Sequence, residues 1–533
     1  MTGPLPAGTW SLVRLALRRD RVAMPLWVLP LGLLPVGYAS AILGLYDTAA
    51  ERAAYARSIA ASPAELALIG PVLGDSAGAL AAWRSGFLLV LVGLAGLLTV
   101  VRHTRAEEES GRQELVAATA VGRRAPVAAA LLVTAAAGVA VGTVAAAGLT
   151  AQGLPLSGSV AFGLGLATSA VLFGAVGALM AQVFEGTGAA RTAAVAALGL
   201  AFLLRAAGDA GGPGSALHPL TWLSPLAWAQ QVRPFAVERW WLLLLPAAVT
   251  CVVVVLALAA LARRDLGSGL RPARPGAATA APSLGSALAL TWRLDRAGLV
   301  LWVAGLGVFG VVLGAAAPTA AEQIGTDPQL NDLLARLGGS GSVVDAVLAS
   351  SLALAAFGGA AYTVTTALRL RSEETSGRAE PVLAAAVPRL AWAGSHLLVA
   401  ALGSAAALAA TGLGAGVAVA VSDGDPGAIG RLLVAGLAQV PAAWVLTGVT
   451  AALLGLLPRW SSAAWAVLGA FLLLGQVGAA LDLDPALLDL SPFTHTPRLP
   501  GGDADLAGTA GLLLVAAGLT AAGLAGLRRR DLG

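Results

Sequence analysis

"RAEEESGRQELVAATAVGRR" (Arg105–Arg124) and "RSEETSGRAEPVLAAAVPR" (Arg371–Arg389) are two copies of one charged cassette in a chain otherwise poor in charge. Glu107 aligns with Glu373, Glu108 with Glu374, Gly111 with Gly377, Arg112 with Arg378, Glu114 with Glu380 and Arg123 with Arg389, always at an offset of 266 positions. Such a repeat divides the chain into two halves of like order.

Around the cassettes the sequence is apolar: of 533 residues, 57% are hydrophobic and only 12% charged. Soluble domains carry about 25% charged residues, and a bilayer core takes about 20 apolar residues per helix. Uncharged runs of that length recur along the chain, without the strict short alternation of spanning strands. The fold class is therefore an all-α polytopic membrane protein. Twelve spans are expected, near 22–46, 84–101, 126–149, 158–183, 191–208, 240–262, 297–317, 347–367, 392–421, 431–457, 461–480 and 507–527. Shorter repeats support a parallel six-plus-six duplication. "RRDRVAMPLW" (Arg18–Trp27) matches "RLDRAGLVLW" (Arg293–Trp302), and "LARRDLG" (Leu261–Gly267) matches "LRRRDLG" (Leu527–Gly533). The domains expected are a first half over 1–266, a flexible cytoplasmic linker over 267–283, rich in Pro, Gly and Ala, and a second half over 284–533.

Every basic residue is arginine except the four histidines; lysine is absent. A phosphate-binding loop needs its lysine, so this chain holds no standard ATP site and no Schiff-base lysine. The single cysteine, Cys251, excludes an intrachain disulfide. His103, His218, His396 and His495 show no metal-ligand spacing, so no metal is expected. Placing both termini in the cytoplasm puts most of the 33 arginines on the inner side, as the positive-inside rule requires. Both cassettes then lie in cytoplasmic loops of a multi-pass plasma-membrane protein.

Within the cassettes, Glu108–Arg112 and Glu374–Arg378 read as i,i+4 ion pairs. Ser110 and Gln113 fit a capping box opening a short helix, with Glu114 in its first turn. Pro381 is tolerated only in a first turn, so the second copy starts its helix near Glu380. A solvated, positive-inside loop copied with everything else is the plain reading of this repeat. The halves have diverged widely elsewhere, which points instead to a constrained surface.

With these residues the chain resembles the membrane permeases of type-two ATP-binding-cassette exporters, whose inner loop carries E-E-x-x-G-x-x-E. The match is Glu107, Glu108, Gly111, Glu114 and Arg123, and again Glu373, Glu374, Gly377, Glu380 and Arg389. Ala120, Ala386 and Pro388 depart from the family pattern that follows. In layout the chain is most similar to actinobacterial exporters of polyketide antibiotics. The resemblance implies that Glu107, Glu108, Gly111, Arg112, Glu114 and Arg123, with Glu373, Glu374, Gly377, Arg378, Glu380 and Arg389, form ATPase-coupling loops. It implies two copies of a separate ATPase carrying ATP and magnesium, no catalysis by this chain, and outward movement of hydrophobic or amphipathic drugs. It also implies an interfacial elbow helix at Trp10–Arg21 and a re-entrant hairpin at His218–Phe235, where an aromatic belt is the plain reading.

Gln182, Gln439 and Gln476 could line a substrate path or bond between helices. Arg205, four residues before Asp209, could serve that path or reach up to the membrane surface. The rival functions are a major-facilitator secondary transporter, also built six plus six, and an intramembrane lipid-modifying enzyme. The first expects a different loop motif and an intramembrane proton relay; the second expects clustered His, Asp or Glu at one depth.

Overall fold

The computed structural model describes residues 6–60, 63–210, 214, 216–271, 279–325, 343–385, 387–477, 484–502 and 505–530. Among them every regular element is a helix, with one isolated bridge between Phe184 and Arg271. It divides into two compact units, Met1–Gly276 and Ala277–Gly533.

Eleven helices among the described residues are long and apolar enough to cross a membrane. In the first unit they are Ala23–Leu45, Leu88–Glu109, Ala125–Ala151, Leu156–Val183, Thr187–Ala210 and Trp240–Ala262; in the second, Ala287–Ala317, Val343–Thr375, Arg389–Asp423, Gly427–Leu456 and Leu506–Arg529. The region expected to hold the remaining span contains a shorter helix, Ala463–Val477, and 478–480 lie outside the described residues.

The fourth spanning helix of each unit is its centre. Leu156–Val183 and Gly427–Leu456 each have 67% of their apolar window buried, against 17% for Trp240–Ala262. Small residues make this burial attainable. Gly142 and Gly163 on neighbouring helices face each other so closely that a Cβ on either would strike the other's carbonyl. In lipid, such backbone approach supplies the packing energy that water would otherwise drive.

The units begin differently. In the first, an amphipathic helix Thr9–Arg19 buries Thr9, Val13 and Ala16 against Ala125–Ala151, and the chain turns before Ala23–Leu45 begins. In the second, one helix runs unbroken over Ala287–Gly325. Pro25 stands where the second copy has Val300. Proline lacks the N–H that a helix interior uses and sits best in a first turn; Pro25 falls in the first turn of Ala23–Leu45, although that helix also carries Pro30 and Pro35 in its interior.

One further expectation is corrected. The segment 267–283 is not free along its whole length: Leu270 and Arg271 donate backbone hydrogen bonds to the carbonyls of Gln182 and Val183 at 3.0 and 2.8 Å. Arg205 is held inside the first unit. Its side chain is buried, donates to the carbonyls of Ala67 and Leu68 at 2.9 and 2.7 Å, and lies 5.0 Å from the centre of the Phe202 ring.

Candidate functional site

Each cassette is built from two short helices and a glycine turn. Arg105–Glu109 continues the second spanning helix, Gly111 takes φ +71°, and Arg112–Ala117 follows. In the second unit Gly377 takes φ +72° before Ala379–Ala384. A side chain would strain that left-handed turn. The turn rotates the following helix out of register, so the expected i,i+4 pairs do not form. Arg112 instead holds Glu107, through Nε and Nη2 at 2.9 Å each, and Arg378 holds Glu373 at 3.1 Å. The Glu107 carboxylate keeps the Arg112 guanidinium above its ordinary pKa. The expected capping box is absent as well: Gly111 is the N-cap, and the Ser110 hydroxyl donates back to the Glu107 carbonyl at 3.1 Å.

The three consecutive glutamates of the first cassette take three different partners. Glu107 accepts from Arg19 of the elbow helix at 3.0 Å. Glu108 turns inward to Arg264, at the end of the last helix, which grips both carboxylate oxygens at 2.6 and 2.8 Å. Glu109 accepts from the backbone N–H of Thr187 at 2.9 Å, at the start of the fifth spanning helix. Arg105 completes the buried group, donating to Glu108 at 2.5 Å, to the carbonyls of Ser268 and Gly267 at 2.8 and 2.7 Å, and to that of Glu185. Arg123 caps it by donating to the carbonyl of Arg264.

The second unit repeats this group with the matching residues. Glu374 lies between Arg371 at 2.8 Å and Arg530, which contacts both of its oxygens at 2.8 Å, and Arg389 donates to the Arg530 carbonyl at 3.0 Å. The first group is the drier. Side-chain exposure is 2% for Arg264 and 4% for Glu108, against 16% for Arg530 and 3% for Glu374. A further pair recurs beside each group: Asp20 accepts from Arg102 and meets His103 Nε2 at 2.7 Å, and Asp295 meets Arg369 at 2.7 Å.

Glu108 and Glu374, expected at a docking surface, are thus internal anchors. The exposed part of the first cassette is the short helix and the turn after it. Glu114 stands in the open, Leu115 is 75% exposed, and Ala117 to Ala120 are exposed. In the second cassette Glu380, Pro381, Ala384 and Ala385 are exposed, while Ala386 lies outside the described residues.

The expected path residues scatter. Gln182 is buried in the first anchor group, where its Oε1 accepts two hydrogen bonds from Arg264, at 2.9 and 2.7 Å, and its amide nitrogen donates to Ala178. Gln439 is buried and donates to the Pro497 carbonyl at 3.3 Å. Gln476 lies in the helix Ala463–Val477, and its side chain is outside the described residues. At the end of the first unit opposite its cassette, the expected hairpin forms as Pro219–Trp222 and Pro225–Gln231. It is tied by Thr221 to Asp209 at 2.8 Å and by Ser224 to the Ala201 carbonyl at 2.7 Å. Beside it an open pocket of about 40 Å³ is lined by Trp83, Leu89, Phe162, Gln230 and Arg233. In the neighbouring layer, burial raises the Glu65 carboxyl above its usual range and pushes Tyr55 up to about 12.

The residues that sequence reading missed are Arg105, Arg264, Arg371, Arg530 and Asp20. Arg264 and Arg530 lie in the repeated R-R-D-L-G, Asp20 in the repeated R-x-D-R, and Arg105 and Arg371 open the two cassettes, all of which sequence alone marks as repeats without naming what they touch.

A permease layout of this kind agrees with what the chain is similar to. Residues 284–528 match a family model described as the C-terminal domain of the multidrug efflux system permease Rv1217c. The chain is 45% identical, over 98% of its own length and 95% of the relative's, to the multidrug efflux system permease protein Rv1217c of Mycobacterium tuberculosis (strain ATCC 25618 / H37Rv). This chain belongs to that family of efflux permeases. The permease is a multi-pass membrane subunit of a drug exporter, and the exporter resemblance carried by the two cassettes agrees with the relative's name. The lipid-enzyme reading loses its ground.

Proposed function

We propose that the permease is driven by a separate ATP-binding-cassette ATPase, two copies of which dock from the cytoplasm, one on each cassette. In this reading the two halves are a parallel duplication of six spans each in the plasma membrane, with both termini inside. ATP and magnesium sit on the partner. Closure of the ATPase dimer draws the docking helices together and shifts the bundle between inward- and outward-facing states. The ATPase-contacting set narrows to exposed residues: Arg112, Glu114 and Leu115 in the first cassette, Arg378 and Glu380 in the second. Glu107, Glu108, Gly111 and Arg123, with Glu373, Glu374, Gly377 and Arg389, hold those helices in place.

The observation that carries this reading is the pair of short exposed helices, each rooted by the same arrangement of charges. The absence of lysine supports a separate energy source. Reconstitution tests it. The purified chain alone should hydrolyse no ATP, whereas vesicles holding chain and ATPase should expel an amphipathic fluorescent dye and keep doing so after the proton gradient is collapsed. Dye export that needs the proton gradient and no ATPase would overturn the proposal.

A further inference from the structure

The buried charge groups hold more than a loop in place. Arg264 and Glu108 are 156 residues apart, and so are Arg530 and Glu374. Each pair joins the residue one or two places beyond a unit's last helix to the root of its cassette. Removing charges from water costs several kcal/mol per ion, and buried pairs are often no better for stability than apolar packing. Two such groups on matching residues therefore call for a purpose beyond stability.

The geometry of the grip supplies one. A guanidinium bound to both oxygens of a carboxylate fixes distance and angle together, which a single contact does not. In the first unit Arg264 also holds Gln182 of the fourth helix, and Arg105 holds the carbonyls of Glu185, Gly267 and Ser268. The ends of the second, fourth and last spanning helices thus meet at one carboxylate. A packed, fully bonded group such as this one passes displacement on without deforming; in the second unit Glu374 Oε1 and Arg530 Nε make no hydrogen bond, so that group is the looser.

We propose that Arg264 and Arg530 are positioning residues for transport: each clamps the root of its cassette to the last helix, so that force on the exposed helix moves the spanning helices instead of bending the loop. The clamp deepens the docking reading and rests on it for the source of the force. Arg264 is the stiffer clamp because it is buried; Arg530, partly open to water, is the weaker.

The test reads stiffness and coupling separately. Spin labels on cysteines at Ala118, in the exposed turn, and Leu266, just beyond the clamp, are placed in a Cys251→Ala chain. The parent gives one narrow distance, alone and with the ATPase bound. Arg264→Gln broadens that distance in the purified chain. With the ATPase present it keeps ATP hydrolysis but lowers dye export per ATP at least about tenfold, as expected when one partner of a buried charge pair is lost. Arg264→Lys keeps the charge without the two-pronged grip; it also broadens the distance, and it decides the matter if Arg264→Gln does not reach the membrane. A narrow distance and unchanged export per ATP in whichever variant is read would overturn the clamp. Failure of the parent to retain the ATPase would count against docking alone, because the distance in the isolated chain still reads the clamp.

Discussion

Arg264 holds Glu108 through both carboxylate oxygens, at 2.6 and 2.8 Å, although 156 residues separate them. The contact makes the first cassette part of the membrane bundle instead of a loop hung beneath it. It also separates the cassette's glutamates, since Glu108 is spent inside the protein while Glu114 remains available outside.

Glu108→Ala should therefore destabilise the fold, leaving Arg105 and Arg264 buried together without a counter-charge. Breaking a buried group in this way costs about 3–5 kcal/mol. Glu114→Ala removes an exposed side chain and should change stability by less than about 0.5 kcal/mol. Thermal unfolding of the two variants in detergent checks the contrast. Equal midpoints would mean that Glu108 carries no weight.

The turn glycines make a conformational prediction. At Gly111 and Gly377 a Cβ would meet nothing within 4 Å, so the cost of Gly111→Ala is the left-handed backbone alone, about 1–2 kcal/mol. Gly111→Asn should cost less, because asparagine tolerates that region. The ranking Gly, Asn, Ala in retained ATPase and in unfolding temperature checks this. A variant series that ignores the ranking would show that the turn is not needed.

The fold class was legible because charge is scarce: long uncharged runs mark the spans, and the few charged stretches mark the repeat. Pairing was not legible. The i,i+4 template joins Glu108 to Arg112, but a glycine at φ +71° ends one helix and starts another, and Arg112 falls to Glu107. Nor could the true partner of Glu108 be read, since nothing local marks a residue 156 positions away. Gln182 misled for a related reason. A polar residue in an apolar helix signals a bond without saying whether its partner is a drug or an arginine. Pro25 and Val300 differ between the two stretches, but Pro30 and Pro35 lie inside Ala23–Leu45, so proline alone did not mark where the first unit breaks its helix and the second does not.

Topology is open to direct labelling. In a Cys251→Ala background, cysteines at Ser110 and Ser376, both exposed, should resist an impermeant thiol reagent in intact cells and react once the membrane is opened. Labelling of either from outside would reverse the orientation assigned to both cassettes.

The most direct measurement of the central claim is ATPase retention on the purified permease. Glu114→Arg reverses an exposed charge beside Leu115 without touching the buried group. Loss of a charged contact at a partly desolvated interface costs about 2–5 kcal/mol, so the ATPase recovered with this variant should fall at least about tenfold, with membrane insertion and unfolding temperature unchanged. Glu380→Arg should act in the same direction. Arg57→Glu, at the opposite end of the first unit, should leave recovery as in the parent. If both glutamate variants recover the ATPase and export dye like the parent, the cassettes do not dock it and the account is wrong.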